Sequence, residues 1–188
     1  IDSVAEDAHV WVVPYVGGSP KEVNGALDRR CTQLRWMPDS KTVVYLATDR
    51  GSVLPYRSNI DSLETKPLYQ GRGTAAGLQL TSSGDVYLTF SAPTKPADLF
   101  RIASSGAATK LTDFAEGTAK QWKLVEPETF RFRSFDQTEV ESYLYLPLNQ
   151  SGKLPLILNI HGGPHSMHGY GFNGSLQYNA ARGYAVLA

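Results

Sequence analysis

A repeat in the first two thirds of this 188-residue sequence constrains the fold more than any other feature. Three segments each read as a strand, a polar turn and a short extended exit: 9–23, 53–68 and 98–112. Aligning Trp11, Pro55 and Phe100 gives offsets of 44 and 45 residues. The intervening segments 34–50 and 78–93 also match, because each has a polar turn followed by an alternating strand.

A period of roughly 40–45 residues with about four short strands is typical of one β-propeller blade. An antiparallel sandwich with evenly spaced strands is the alternative interpretation. Because repeats must stack to bury both faces, about two blades and part of a third would make an incomplete propeller. We therefore expect residues 1–120 to form the C-terminal blades of an incomplete β-propeller.

The pattern changes near residue 120. Two alternating runs at 130–135 and 140–146, joined by a polar turn, predict a hairpin. After it come an apolar strand, a segment with apolar residues at helical spacing that stops at Gly183, and a second apolar strand. This order predicts the N-terminal part of an α/β sheet over residues 121–188, with the boundary between about Lys120 and Thr129.

The apolar run at 154–160 leads directly into His161, Gly162, Gly163 and Pro164. A run so short and apolar on both faces predicts a buried central strand of a covered sheet. Two glycines followed by a proline prevent the chain from continuing as a helix. We therefore expect the strand to deliver a polar loop to one edge of the sheet.

This loop and its surroundings resemble the prolyl oligopeptidase family of serine peptidases. The stretch "PLILNIHGGPHSMHGYGFN…QYNAARGYAVLA" is similar to the third strand, oxyanion loop, first helix and fourth strand of that family's α/β-hydrolase domain. The acylaminoacyl-peptidase branch is the most similar one. The hairpin "PETFRFRSFDQTEVESYLYLP" and the repeats before it resemble the start of the same domain and the preceding propeller, so the resemblance covers essentially the whole chain.

The resemblance implies a role for each residue of the loop. In acyl transfer, fixed backbone N–H donors stabilise the developing oxyanion, and glycine lets the backbone approach the substrate closely. The family pattern assigns the donor to the amide of Gly163, the turn to Gly162 and support of the loop by side-chain hydrogen bonds to His161. Pro164 and His165 would lie at the rim of the substrate pocket. No metal or organic cofactor is required.

The nucleophile of such an enzyme is not evident in the sequence. The nucleophilic serine of an α/β-hydrolase lies in a Gly-x-Ser-x-Gly turn. No serine of this sequence has glycine both two positions before it and two positions after it. The family places this serine one strand beyond Ala188. We therefore expect a shortened or cleaved product, or a deliberate fragment, of a longer serine peptidase, and we expect the 188-residue piece alone to be inactive.

The expected parent hydrolyses oligopeptides, with the propeller limiting access by size. The acidic propeller pattern of family dipeptidyl peptidases is not evident, which favours acylaminoacyl-peptidase or oligopeptidase activity. A propeller that only binds proteins would explain 1–115 but not the strand before His161. A carboxylesterase would share the sheet, yet it usually has a third glycine at the position of Pro164 and lacks a propeller.

Other reactive residue types have simpler interpretations. The spacing of His161, His165 and His168 would suit a metal on a helix, but the glycines and proline between the first two exclude that helix. Cys31 reads as a small buried hydrophobe rather than a nucleophile. Trp11 and Trp36 read as blade packing.

Composition limits the partners. Eighteen basic and eighteen acidic residues give a net charge of zero, so nothing draws the chain to nucleic acid or to an anionic membrane. No apolar run is long enough for a transmembrane helix. A single cysteine slightly favours a cytoplasmic location, although export is compatible with a first residue, Ile1, that is not methionine. The full-length protein could form homo-oligomers.

Overall fold

The fold is known from a computed structural model that describes residues 8–150, 152–163 and 166–188. Ten strands precede residue 111: β1 (Trp11–Val12), β2 (Lys21–Glu22), β3 (Cys31–Trp36), β4 (Thr42–Asp49), β5 (Ser52–Asn59), β6 (Thr65–Pro67), β7 (Thr74–Leu80), β8 (Val86–Ala92), β9 (Lys95–Ile102) and β10 (Ala108–Lys110). Strands β1 and β2 form a hairpin. Strands β3 to β6 form one antiparallel meander and β7 to β10 a second. The strands and polar turns that the sequence repeat predicts are therefore present.

The sequence repeat is visible in the backbone geometry of the two meanders. Their first strands, β3 and β7, each contain a β-bulge, with Gln33 at φ 55° and Gly77 at φ 66°. The turns that follow contain Ser40 at φ 54° and Gly84 at φ 86°. Both pairs of residues are 44 positions apart. A bulge with a positive φ at the same point of each unit shows that the two meanders repeat one local structure.

The two meanders pack together through the alternate apolar side chains of their strands. Strand β4 is buried on both faces, because Val43, Tyr45 and Ala47 face one apolar cluster while Val44 and Leu46 face another. The second cluster also contains residues from β7, β8 and β9: Ala75, Leu78, Val86, Leu88 and Ile102. One parallel pair, Val53 with Thr74, joins the two meanders into a larger sheet.

Helix α1 (Phe114–Ala119) follows and packs on β9. The elements after it build a separate mixed sheet: β11 (Glu128–Arg133), β12 (Glu139–Tyr145), β13 (Leu156–Leu158), α2 (Gly174–Ala181) and β14 (Ala185–Leu187). Its strand order is β11-β12-β14-β13. Strands β13 and β14 are parallel, and α2 forms the crossover between them. The hairpin, the helix and the last strand were all predicted, whereas the short helix α1 was not.

Local sequence explains where α2 begins and ends. The side chain of Asn173 accepts hydrogen bonds from the amides of Ser175 and Leu176, which caps the helix N-terminus. Gly183 follows the last turn at φ 96°, a conformation that glycine adopts without strain. Leu176 and Ala180 are buried against the sheet, with Val186 of β14 in the same cluster.

The prediction that the 154–160 strand is buried in the centre of a covered sheet is wrong for this chain. Strand β13 has only three residues and lies at the edge of the sheet, where β14 is its one partner among the described strands. Leu156 and Leu158 are 60% and 61% exposed, while Ile157 between them packs against the core. The reason is that α2 covers one face of the sheet, and no described residue covers the other.

Contacts from Tyr170, Tyr143 and Gln177 help to fix the mixed sheet against the two meanders. The amide of Tyr170 donates to the carbonyl of Gly51, in the β4–β5 turn, at 2.8 Å. A β-carbon on Gly51 would overlap the hydroxyl of Tyr143. On α2, Gln177 is only 3% exposed and donates to the carbonyl of Pro93 at 2.9 Å. The two parts therefore meet in close polar contact, where even a methyl group on Gly51 has no room.

Candidate functional site

The candidate site is the loop that follows β13. Asn159 extends the strand by one step, since its amide donates to the carbonyl of Leu187 at 2.7 Å. Ile160 then leaves the sheet and is 78% exposed. In α/β sheets, ligands bind beyond the carboxyl ends of parallel strands, which is where this loop lies.

The backbone of Gly162 and Gly163 is accessible. No hydrogen bond among the described residues uses either amide as a donor. Apart from the chain neighbours, no atom of a described residue lies within 4 Å of where a β-carbon would sit on either glycine. Gly163 has φ 64°, in the left-handed region that favours glycine. Among the described residues, neither amide therefore has an acceptor, and an oxyanion donor needs such an amide.

The side chain that holds this loop is His168. Its Nε2 lies 3.0 Å from the carbonyl oxygen of Asn159 and, with a proton on that nitrogen, donates to it. The ring of His161, which is exposed, packs edge-on against the ring of His168 with centroids 5.6 Å apart. The described hydrogen bond to the loop therefore comes from His168, and support by a hydrogen bond from His161 stays a prediction.

The environment of His168 favours its neutral form. Burial lowers its pKa because the imidazolium loses solvation, and the neighbouring His161 lowers it further. The hydrogen bond to the Asn159 carbonyl opposes these effects without reversing them. A neutral ring with its proton on Nε2 still donates to Asn159, so the contact does not require a charged histidine.

A cleft of about 470 Å³ opens beside the loop. Its lining includes Asn159, His161 and His168 from the loop, together with Tyr143 of β12 and Gly51 from the meanders. The cleft is therefore built by both parts of the molecule. Its volume is within the range of known small-molecule sites, which often lie at such junctions.

One wall of the cleft contains a charged network on the β11–β12 hairpin. The hydroxyl of Tyr143 donates to Glu141 at 2.6 Å, and Arg131 donates to the other carboxylate oxygen at 3.1 Å. The bond from Tyr143 lowers the pKa of Glu141, with Arg131 contributing. Burial raises the pKa of Tyr143, and the neighbouring carboxylate adds to this effect. Glu141 is thus an ionised acceptor whose charge is already compensated.

The other residues singled out from the sequence have different outcomes. Pro164 and His165, expected at the pocket rim, lie outside the described residues. Within the described ranges, no group of three or more His, Cys, Asp and Glu side chains is placed to hold a metal ion. Cys31 is buried in an apolar cluster, in agreement with its interpretation as a small hydrophobe. Trp11 and Trp36 are more than half exposed, so their expected packing role is wrong here, because β1 and β3 lie at sheet edges.

Sequence reasoning missed the residues that position the loop from a distance. The hydrogen-bond partner of His168, Asn159, is nine positions away, and no motif links the two residues. The sequence could have indicated a turn at Gly51 but not its contact. Arg50 and Gly51 form a tight turn between two strands, and both residues have a positive φ, for which glycine is favoured. Nothing in the sequence indicated that this turn contacts Tyr170.

Comparisons with known proteins agree on one family. An uncharacterised peptidase, YuxL, of Bacillus subtilis is 29% identical over 155 residues and aligns with 81% of this chain. Dipeptidyl-peptidase 4 of Giardia intestinalis is 31% identical over 193 residues and aligns with 87%. The structure of the Pyrococcus horikoshii acylaminoacyl peptidase covers all of this chain with a TM-score of 0.84 at 27% identity. An acylaminoacyl peptidase in complex with Z-Gly-Gly-Phe-chloromethyl ketone covers 97% with a TM-score of 0.82 at 27% identity.

The chain belongs to the prolyl oligopeptidase family. The resemblance seen in the sequence is thereby confirmed, and the multi-sheet, β-rich architecture agrees with that of the solved structures. No family model matches the chain. The chain spans about a quarter of the length of these proteins: 23% of the Bacillus peptidase, 25% of the Giardia one and 28% of the Pyrococcus structure.

Proposed function

We propose that this chain is part of a serine peptidase that hydrolyses oligopeptides. In this proposal, residues 1–120 are propeller blades and residues 121–188 begin the α/β-hydrolase domain. Two four-stranded meanders that repeat every 44 residues support the first assignment. The β13–α2–β14 crossover, with parallel strands, supports the second.

The accessible amides of Gly162 and Gly163 are the observation that carries the proposal. They follow the carboxyl end of a parallel strand and have no acceptor among the described residues. They come directly after His161, which lines the cleft of about 470 Å³. In α/β-hydrolases, the loop after the third strand supplies one oxyanion donor and the residue after the nucleophile supplies the other. Gly163 is proposed as the first donor, with Gly162 forming the turn and His161 supporting the loop.

The proposed reaction uses a serine that is not among these 188 residues, because none here lies in a Gly-x-Ser-x-Gly turn. The serine oxygen bonds to the peptide carbonyl carbon while a histidine base takes the serine proton. The carbonyl oxygen becomes negative and accepts a hydrogen bond from Gly163. The amine then leaves with the proton, and water hydrolyses the acyl-enzyme by the same route.

The substrate class within this reaction is proposed as N-acylated or internal peptides. No match to the acidic propeller pattern of family dipeptidyl peptidases is evident in this stretch of sequence, although its relatives include proteins named as dipeptidyl peptidases. The rates of hydrolysis of N-acetylated peptide p-nitroanilides and of the same peptides with a free amino terminus distinguish this substrate class from that of a dipeptidyl peptidase. A faster reaction on the free-amino series would overturn this part of the proposal.

The proposed function is tested by comparing the 188-residue chain with a longer polypeptide that also contains the proposed serine-bearing segment. The longer protein should hydrolyse peptide p-nitroanilides, and the chain alone should not exceed background. Gly163→Ala in the longer protein forces a side chain into the left-handed region and turns the amide away. We expect kcat to fall by roughly 10²-fold or more, as on loss of one oxyanion donor.

Gly106→Ala is the matched control, since Gly106 also has a positive φ and no neighbour within 4 Å but lies in the β9–β10 turn. Equal kinetics for the two variants would contradict the assignment of Gly163. Hydrolysis by the 188-residue chain alone would contradict the external nucleophile. Turnover of p-nitrophenyl esters without peptide turnover would indicate the carboxylesterase alternative.

A further inference from the structure

A second and larger cavity, of about 640 Å³, lies away from the loop of Gly163. It opens between the β8–β9 hairpin and α1, and its lining includes Tyr69, Arg72, Phe90, Lys95, Asp98 and Phe100. Its volume is within the range of known small-molecule sites. Its residues share none of the catalytic roles proposed above.

The floor of this cavity is aromatic and preorganised. Phe90 and Phe100 project from the adjacent strands β8 and β9, and Tyr69 packs on both from the β6–β7 connection. The ring centroids of Tyr69 and Phe90 are 5.0 Å apart in an edge-to-face arrangement, and those of Phe90 and Phe100 are 6.1 Å apart. All three residues are only half-buried, so part of their apolar surface faces the cavity. A flat apolar or aromatic group would cover that surface favourably.

The rim of the cavity has an excess of positive charge. Lys110 and Lys120 also line it, but Lys110 pairs with Asp113, and Lys120 pairs with Glu116 at 3.6 Å. Arg72 and Lys95 have no ion pair among the described residues. The guanidinium of Arg72 is instead held 4.0 Å above the centre of the Tyr170 ring. Lys95 thus stands beside the aromatic floor with no ion pair among the described residues, and Arg72 adds a second positive charge whose nearest described contact is the Tyr170 ring.

The one buried acid in the cavity is already engaged. Asp98 is only 5% exposed, and its Oδ1 accepts hydrogen bonds from the hydroxyl of Thr112 at 2.8 Å and the amide of Phe114 at 2.9 Å. These bonds anchor the start of α1 beside the cavity. The carboxylate of Asp98 therefore serves the fold, and the groups left for a ligand are aromatic rings and cations.

From this arrangement we infer that the cavity binds an apolar carboxylate, namely a carboxyl-terminal aromatic residue of a peptide. The side chain of such a residue covers Tyr69, Phe90 and Phe100, and its carboxylate lies toward Lys95 and Arg72. This site is independent of the proposed hydrolysis, because it uses neither the Gly163 amide nor the nucleophile. Its presence or absence is measured by binding alone.

The test titrates the 188-residue chain with N-acetyl-L-phenylalanine by NMR, following amide resonances of β8 and β9. The neutral analogue N-acetyl-L-phenylalaninamide and the cation L-phenylalaninamide are titrated in parallel. We expect saturable binding of the acid and about tenfold weaker binding of the neutral amide, because two charge-assisted contacts are lost. Equal affinity for acid and amide, tighter binding of the cation, or no saturable binding would overturn the inference.

Single variants then test which residues contact the carboxylate and the aromatic ring of the ligand. Lys95→Gln should weaken binding of the acid by about three- to fivefold and leave the amide unchanged, as for an exposed ion pair. Phe100→Leu should weaken both ligands. Lys153→Gln is the control, because this exposed lysine lies outside the cavity. If Lys95→Gln and Lys153→Gln bind the acid equally, the carboxylate is not recognised as inferred.

Discussion

The side-chain amide of Gln177 makes three hydrogen bonds that join α2 to two other segments. Its Oε1 accepts from the amide of Val125, and its Nε2 donates to the carbonyls of Val125 and Pro93, all at 2.8–2.9 Å. The side chain is buried. If its amide group were removed, each backbone partner would therefore lose a hydrogen bond and could not replace it with one to water. A buried polar group left without a partner costs about 1–3 kcal/mol.

Gln177→Leu should therefore lower the free energy of unfolding by roughly 3 kcal/mol or more, measured by urea denaturation. Leucine keeps a similar volume, so the loss would report on the hydrogen bonds. Gln79→Leu on β7 is the control, since Gln79 is exposed and should change stability by less than about 0.5 kcal/mol. A similar, small effect for both variants would show that the three bonds contribute little.

His168 should make the chain less stable as the pH falls. Because its pKa in the folded protein is below the ordinary value of 6.5, unfolding takes up a proton in the window between the two values. The contribution is present above about pH 6.5 and is lost as the pH drops through the lowered pKa. An NMR titration of the His168 ring should give a pKa below 6.5, and His168→Gln should remove this acid-side loss.

His9 provides a comparison of opposite sign. Its hydrogen bond to Glu22 raises its pKa above 6.5. Its contribution is therefore present below pH 6.5 and is lost as the pH rises through the raised value. Below about pH 6.5, His9→Gln should therefore lower the free energy of unfolding, whereas His168→Gln should raise it. The same trend in both variants would contradict the assigned directions.

Strand β13 shows which properties of an element the sequence predicts and which it does not. Its extended conformation and parallel pairing follow from a short apolar run and a crossover helix, both visible locally. Its burial does not, because burial depends on which neighbours cover the strand. The strands and turns of the meanders were predictable because their patterns, too, are visible in short stretches of sequence. Helix α1 was missed because six residues give too little periodicity.

The uncovered face of the mixed sheet should cause the chain to self-associate. Leu156 and Leu158 project from the edge strand into solvent, and an unpaired edge readily accepts another strand. Leu156→Lys should reduce association in sedimentation velocity and change the free energy of unfolding by less than about 0.5 kcal/mol. Tyr178→Lys, at an exposed position of α2, is the control. An unchanged oligomer distribution for Leu156→Lys would show that this edge is not the contact.

At the scale of the whole molecule, Gly51 limits how closely the meanders and the mixed sheet approach. Gly51→Ala would place a methyl group against the hydroxyl of Tyr143 and the ring of Tyr170. We expect it to destabilise the chain by about 1–3 kcal/mol more than the matched control Gly77→Ala. Gly77 also has a positive φ but no neighbour within 4 Å. Thermal unfolding of Gly51→Ala should show two transitions, and one transition equal to that of the control would contradict this role.

These contacts between distant segments were beyond sequence reasoning. The loop of Gly162 and Gly163 could be located because its motif is contiguous and follows an apolar strand. The contact of Gln177 with Pro93 joins residues 84 positions apart, and neither residue type indicates the other. Long-range packing of this kind depends on the relative position of two sheets, which a single sequence does not encode in any short pattern.

The hydrogen bond between Tyr170 and Gly51 has a mechanical consequence. Tyr170 lies two positions after His168, whose ring holds the carbonyl of Asn159 at the base of the glycine loop. The β4–β5 turn is therefore coupled to that loop through a path only a few residues long. We expect a small tilt of the meanders relative to the mixed sheet to change the position of the Asn159 carbonyl and, through it, the orientation of the Gly163 amide that is proposed as the oxyanion donor.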